Sequence, residues 1–335
     1  MSLCGRAFLW KPQHPAPSRE TCHMQTSFDP QSVPASVGCN LETPMNDKEI
    51  RYVVISAVRD EEKFIDGTVR SMLGQTVRPS EWIIVDDGSS DRTGEIIDGY
   101  AAEHSWIRAI HRANRGFRKS GGGVVEAFND GLAILETSDW DFIIKLDGDL
   151  TFTPDYFERC FDQFRQDTRL GIGGGIIYHV LDRKEKIEHV PEFHVRGATK
   201  IYKRECWQAI GGLWVAPGWD TIDEVKANML GWTSRSFPNI KLQQQRPTGT
   251  AESLWKDLVK CGRARYVSGY HPLFMASSCI LRLVQKPYLL GSAGLLYGYI
   301  SGYLKRLPQV DDPVFIKYLR EQQMRRLLGK ETIWR

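Results

Sequence analysis

An α/β fold, with a mostly parallel sheet flanked by helices and a helical extension behind it, follows from three features of the sequence. Strand and helix patterns alternate from Tyr52 to His111, two acidic clusters each stand directly after an apolar run, and after His271 the composition shifts to long stretches with little charge. Strand–helix alternation implies right-handed crossovers and parallel pairing, so ligands are expected beyond the carboxyl ends of the strands.

The first 48 residues are rich in Pro, Ser and Thr, show no sustained period, and are predicted to be a disordered leader. An ordered α/β domain is predicted over 49–250 and a helical region over 251–335. Of the 335 residues, 44 are Lys or Arg and 41 Asp or Glu, a net charge of +3, and no basic block is interleaved with aromatics, which argues against a nucleic-acid partner. Seven scattered cysteines without a CxxC pair suit reduced thiols in a cytoplasmic setting. The apolar patch Ala7 to Trp10 runs straight into Lys11 and Pro12, so no secretory signal is expected.

YVVISAV from Tyr52 reads as a strand covered on both faces, followed by an amphipathic helix over about 61–73. A short strand, Trp82 to Val85, leads into DDGSSD at Asp86 to Asp91. Next come a helix over about 92–103, capped by Asp91, and a strand near Ile107 to His111. The segment 113–132 carries Arg115, Arg118 and Lys119 before three glycines and a helix start, a place for anionic phosphates or simply a solvated loop. It has neither the GxxxxGK(S/T) spacing of a P-loop nor the GxGxxG of dinucleotide enzymes.

DFIIKLDGDL at Asp141 to Leu150 places Asp147 and Asp149, one glycine apart, at the end of an apolar strand. Such a pair can share a hard divalent cation, with the glycine admitting a bulky ligand, and it can equally be a solvated acidic turn. Thr153 and Pro154 then start a helix to about Gln166. Strands are expected at 171–178 and 198–202, and a helix at 204–210. In GWDTIDEVKANMLGW, Gly218 to Trp232, Asp223 and Glu224 read as first-turn acids favoured by the helix dipole. Asp220, between Trp219 and the helix start, is the better chemical candidate.

Together these segments resemble the inverting family 2 glycosyltransferases of the GT-A fold. The resemblance covers about 51–246 and rests on motif order. AVRDEE at Ala57 to Glu62 is similar to the first-strand signature, with Ala57 and Asp60 in place of the usual Pro and Asn. VDDGSSD at Val85 to Asp91 is nearly a copy of the second motif. Asn114, Asn129 and Gly131 fall at recurring positions of the next, and LDGD is the metal motif. Asp220 corresponds to the second acid of an E-D motif, with Trp219 in place of the Glu and Gly231 at the family spacing. Arg246 stands in a Q-x-x-R-W-like segment whose Trp is Pro247 here.

The resemblance implies a GT-A-like, nucleotide-binding sheet and a nucleotide-diphosphate sugar donor contacted by Ala57, Glu61, Asp86, Asp87, Lys119 and Asp147. Asp147 and Asp149 would hold Mg²⁺ or Mn²⁺, Arg246 would meet the diphosphate, and Asp220 would be the general base of a single inverting displacement. Pro247 in place of the Trp points to single addition to a carbohydrate or lipid-linked acceptor, not to processive synthesis. Two alternatives stay open at this point: a sugar nucleotidyltransferase, whose glycine-rich first turn SAVRDEE lacks, and a catalytically silent carbohydrate-binding or scaffold protein.

A polar, basic helix is expected over about 251–270. Leu273 to Leu283 is mostly apolar, and Tyr288 to Leu304 holds no charge over a length close to the ~17–25 residues of a membrane span. Helices lying at the inner face of the cell membrane, a buried soluble pair and a true span are the readings this allows. Gly294, Gly298 and Gly302 share one helical face, and the segment from Asp311 reads as a basic amphipathic helix.

Overall fold

The first strand, β1 (Tyr52–Val58), shows why the fold is layered. Its β-branched residues favour extended backbone, and its side chains alternate between two apolar clusters. Tyr52, Val54 and Val58 join one cluster, and Val53, Ile55 and Ala57 the other. The computed structural model describes residues 50–117, 121–181, 184–188, 190–246, 254–284 and 287–334, all within one compact unit.

After β1 the chain runs through α1 (Ile65–Leu73), β2 (Glu81–Asp86), α2 (Thr93–Glu103), β3 (Ile107–His111), α3 (Gly122–Ala133) and β4 (Phe142–Leu146). It continues with β5 (Leu150–Phe152), α4 (Tyr156–Gln166), β6 (Leu170–Leu181), β7 (Lys184–Ile187), β8 (Thr199–Lys203), α5 (Arg204–Ile210), α6 (Trp219–Met229) and β9 (Thr233–Gln244). Helices α1, α2 and α4 cover one face of the sheet, and α3, α5 and α6 cover the other. The sheet order is β3-β2-β1-β4-β8-β6-β9-β5, with β7 paired to β6. Strands β3, β2, β1 and β4 are mutually parallel, as predicted, so the ends of β1, β2 and β4 open on one edge. Beyond β4 the sheet is mixed: β8 runs antiparallel to β4 and β6, while β6 and β9 are parallel.

Several local expectations are corrected. Helix α1 starts at Ile65, not near Glu61, because Asp60 takes a left-handed φ of 54° and a turn precedes the helix. Asp91 does serve the start of α2, accepting from the Thr93 amide at 3.0 Å. Three strands were not foreseen: β5, β7 and β9. β9 hides because it is mostly polar and contains Pro238, which it accommodates where its register with β6 shifts between Phe237 and Lys241.

Four helices follow: α7 (Leu254–Val267), α8 (Pro272–Arg282), α9 (Tyr288–Leu304) and α10 (Pro313–Leu327). They share a third apolar cluster with Ile222 and Val225 of α6. The glycine stripe of α9 faces α7 so closely that a Cβ on Gly298 would lie 2.2 Å from the Val259 carbonyl oxygen. Among the described residues no helix is long and apolar enough to cross a membrane.

Candidate active site

Three strand ends and one helix start build the site. At the end of β2, Asp86 and Asp87 are both buried and both already engaged. Asp86 accepts from the Ser89 amide at 2.8 Å and faces His111 Nδ1 at 3.0 Å, while His111 Nε2 lies 3.0 Å from Asp98. Asp87 receives Arg112 at 2.6 Å and also Arg115. Arg59 closes the ring, donating to the Asp87 carbonyl at 3.0 Å and to Asn114 at 3.0 Å. The basic loop therefore spends Arg115 on Asp87 and does not leave it free for phosphate, and Arg118 and Lys119 lie outside the described residues.

The hydrogen bonds from Asp86 and then Asp98 raise the His111 pKa above its ordinary 6.5. A proton held more tightly in the folded state stabilises fully below about pH 6.5 and is lost as pH rises through the folded value. His111→Gln should accordingly flatten a decline in wild-type Tm between about pH 6 and 9. An unchanged slope in thermal unfolding scans would remove His111 as its source.

At the end of β1, Ala57 packs its side chain into the cluster shared with α3, so only its backbone can face a nucleotide. Glu61 is buried and pairs with Arg246 at 2.6 Å. Arg246 also donates to the Asp60 carbonyl at 3.0 Å and stacks over Phe64 at 5.2 Å. The residue expected at the diphosphate thus lies at the mouth of β1, held by an acid of the first-strand motif.

Beyond β4, Asp147 is half-buried and bonded to Lys145, whereas Asp149 is buried and its carboxylate accepts, among the described residues, one side-chain hydrogen bond, from the Gln244 amide at 3.2 Å. Burial first, and Asp147 second, push the Asp149 pKa up to about 6, against the pull of Gln244, Arg246 and Lys145. Gly148 does not serve as an opening for ligand: a Cβ there would lie 2.6 Å from Val58 Cγ1, so the glycine lets the acidic turn pack on β1. Among the described residues no third His, Cys, Asp or Glu completes a metal cluster. Two hard oxygen donors, one an under-partnered buried carboxylate, fit an Mg²⁺ or Mn²⁺ ion that takes its remaining ligands from water and phosphate oxygens.

Asp220 lies in the first turn of α6, not ahead of it. Among the described residues no hydrogen bond or ion pair engages its half-buried carboxylate. Two contacts bring it beside the metal motif. The Asp147 amide donates to the Ala198 carbonyl at 2.8 Å, and a Cβ on neighbouring Gly197 would lie 3.3 Å from Asp220 Cβ. Trp219, standing where the resemblance expects Glu, is buried between Lys145 and Lys200, 5.6 and 5.5 Å from their ammonium groups. It is a spacer between β4 and α6.

Asp223 and Glu224 are corrected most. They are not exposed acids on a helix dipole but fully buried partners of Lys200, which reaches Asp223 at 2.9 Å and Glu224 at 2.8 Å. Lys200 also donates to the Asp220 carbonyl at 2.5 Å, Tyr202 to Asp223 at 2.5 Å, and His194 lies 2.8 Å from Glu224. Burial raises Asp223 to about 6 although Lys200 opposes it. For Lys200 burial works downward, but Asp223, Glu224 and Asp220 outweigh it and its pKa is raised. Lys145, Lys200 and Gln244 were missed from sequence, and only Lys145 left a signal there, a lone cation in an otherwise apolar strand. A cleft of about 610 Å³ opens at the opposite end of β9, beside Thr233, Arg235 and Arg325, and none of these acids lines it.

The family model described as Glycosyl transferase family 2 matches residues 53–215. The chain is 32% identical over 131 residues to the uncharacterized glycosyltransferase EpsJ of Bacillus subtilis, a match covering 39% of this chain and 35% of the relative. It is 28% identical over 130 residues to the glycosyltransferase GlyG of Streptococcus pneumoniae, covering 38% and 40%. The aligned stretch is therefore well under half the length of either curated relative. Among solved structures, the mannosyltransferase PcManGT of Pyrobaculum calidifontis, in complex with GDP-Man and Mn²⁺, superposes with a TM-score of 0.52 at 14% identity, covering 86% of this chain and 90% of that one. At that identity the likeness establishes a shared fold, of the GT-A kind. The acidic motifs of β2 and β4 both lie inside the segment, residues 53–215, that matches the Glycosyl transferase family 2 model.

Proposed function

We propose that this protein is a glycosyltransferase that moves a sugar from a nucleoside-diphosphate donor to an acceptor hydroxyl by one inverting displacement. The observation that carries the reading is the meeting of Asp147, Asp149 and Asp220 across the Gly197–Ala198 backbone, with Arg246 near Asp149. The donor and Mn²⁺ in the PcManGT complex support the same chemistry. The acceptor is read as a carbohydrate or lipid-linked hydroxyl presented at the inner face of the cell membrane, with one sugar added per encounter. The nucleotidyltransferase alternative draws no support from the family match.

Displacing a diphosphate from a sugar carbon builds negative charge on the departing oxygen. A bound Mg²⁺ or Mn²⁺ ion would supply positive charge there, held by Asp149 and Asp147. Arg246, released in part from Glu61, would add a fixed cation. Asp86, Asp87 and the arginines around them would form the nucleoside end, with the β1 backbone at Ala57. On the acceptor side, Asp220 would take the hydroxyl proton as the oxygen attacks, leaving no need for a covalent sugar intermediate.

A thermal-shift screen of UDP-, GDP- and dTDP-sugars with and without Mn²⁺ tests this reading. One nucleotide class should raise Tm only with metal, and Asp149→Asn should abolish the metal-dependent part, since a neutral amide is a poor ligand for a hard dication. Equal shifts with and without metal in the wild type would count against the acidic pair.

A further inference from the structure

Helix α9 is built inside out for water. Its protein-facing side is mostly small, with Gly291, Ser292, Gly294, Gly298, Ser301 and Gly302 buried beside only two large residues, Leu295 and Tyr299, while Leu289, Leu290, Leu296, Ile300 and Leu304 point outward. Leu289 is 72% exposed and Leu304 80%, and neighbouring α8 adds Leu281 at 68%. A helix on a core in water turns its large apolar residues inward, and a continuous outward apolar face marks an interaction surface. Ser292 Oγ, bonded to the Cys279 carbonyl at 2.7 Å, holds the two helices together so that their apolar faces form one surface.

Charge selects the occupant. From Pro272 to Val310, the stretch that holds α8 and α9, the sequence has four Lys or Arg and no Asp or Glu. Arg282 ends α8, and Lys305 and Arg306 follow α9. A second copy would bring the same positive charge to the interface, whereas anionic headgroups complement it. Tyr297 and Tyr303 on the outward face suit the boundary between headgroups and acyl chains. At 17 residues, α9 is about 25 Å long, short of a ~30 Å hydrocarbon core, which favours lying in the surface over crossing it.

We infer that the α8–α9 pair docks on an anionic lipid bilayer, seating Leu281, Leu289, Leu296, Ile300 and Leu304 in its interface. Helix α7 ties this element to the site. It packs on the α9 glycines, and Ser268 just beyond its end lies 3.0 Å from where a Cβ on Gly218 would stand, two residues before Asp220. Docking therefore holds the Asp220 side of the candidate site near the surface where a lipid-linked acceptor is presented. That last step rests on the proposed glycosyl transfer; the docking itself does not.

The test is co-sedimentation of the full chain with vesicles of phosphatidylcholine alone or with about 30% phosphatidylglycerol, at about 0.1 and 0.5 M salt. Wild type should pellet with the anionic vesicles at low salt and bind roughly tenfold or more weakly to the neutral ones or at high salt. Leu281→Glu/Leu289→Glu, both at exposed positions, should keep the wild-type Tm and the metal-dependent nucleotide shift yet bind anionic vesicles about tenfold or more weakly. Asp220→Asn should pellet like wild type, so failure of the proposed base and failure of docking are read separately. No wild-type pelleting on anionic vesicles, or equal pelleting by the double variant, overturns the inference. So does a concentration-dependent dimer that the double substitution abolishes while vesicle binding is absent.

Discussion

Asp220→Asn should bind nucleotide and Mn²⁺ as the wild type does and lose transfer by about 10²- to 10⁴-fold, the usual share of a positioned general base. The substitution keeps size and shape, and the Lys200 bond goes to the Asp220 backbone carbonyl, so α6 should stay in place. What disappears is the proton acceptor that the proposed mechanism assigns to this position. The contrast with the other acids makes the prediction selective. Asp86, Asp87, Glu61, Asp147, Asp223 and Glu224 are each held by a cation or hydrogen-bond donor, so their removal would disturb structure or donor binding as well. Single-turnover measurements with saturating donor separate the cases, because a defect confined to the transfer step leaves donor affinity untouched. Retention of more than about a tenth of the wild-type rate constant would remove Asp220 from the base's role.

The parts of this fold that could be read from sequence are those whose cause is local. β1, β3, α5 and α9 follow apolar runs or apolar periodicity bounded by breakers, and the chain delivers Asp86/Asp87 and Asp147/Asp149 to one edge because parallel crossovers demand it. β9 was illegible for the opposite reason. Its polar residues make sense only against β6, more than fifty positions earlier, and β5, earlier still, and its proline only at a register shift. Gly148 was misread because the atom it avoids belongs to Val58. The acids of α6 were misread in the same way. Nothing in TIDEVKAN announces that Lys200, on a different element, will lie between Asp223 and Glu224. Tertiary ion pairs leave no period in a sequence.

That buried cluster yields the largest stability effect expected of a single substitution. Lys200→Met removes the ammonium and keeps much of the side-chain volume, so Asp223 and Glu224 are left facing each other at zero exposure. Breaking a buried ion pair from one side typically costs ~3–5 kcal/mol, roughly 5–8 °C in Tm for a chain of this size. The sign of its pH dependence identifies the cause. Burial already holds the Asp223 carboxyl above its unfolded value, and removing Lys200 takes away the pull that opposes it, so stability linked to that proton is present at low pH and lost as pH rises. The deficit relative to wild type should therefore be smaller at about pH 5 than at about pH 8. Adding Asp223→Asn to Lys200→Met should restore part of the loss, because it deletes one unpaired charge; on its own, Asp223→Asn should destabilise. A Lys200→Met protein within about 2 °C of wild type at neutral pH, or a double variant whose losses simply add, would mean that the cluster does not fix α6. In that event Asp220 would need another source for its position, since the Lys200 ammonium is the group that ties the Asp220 carbonyl to β8.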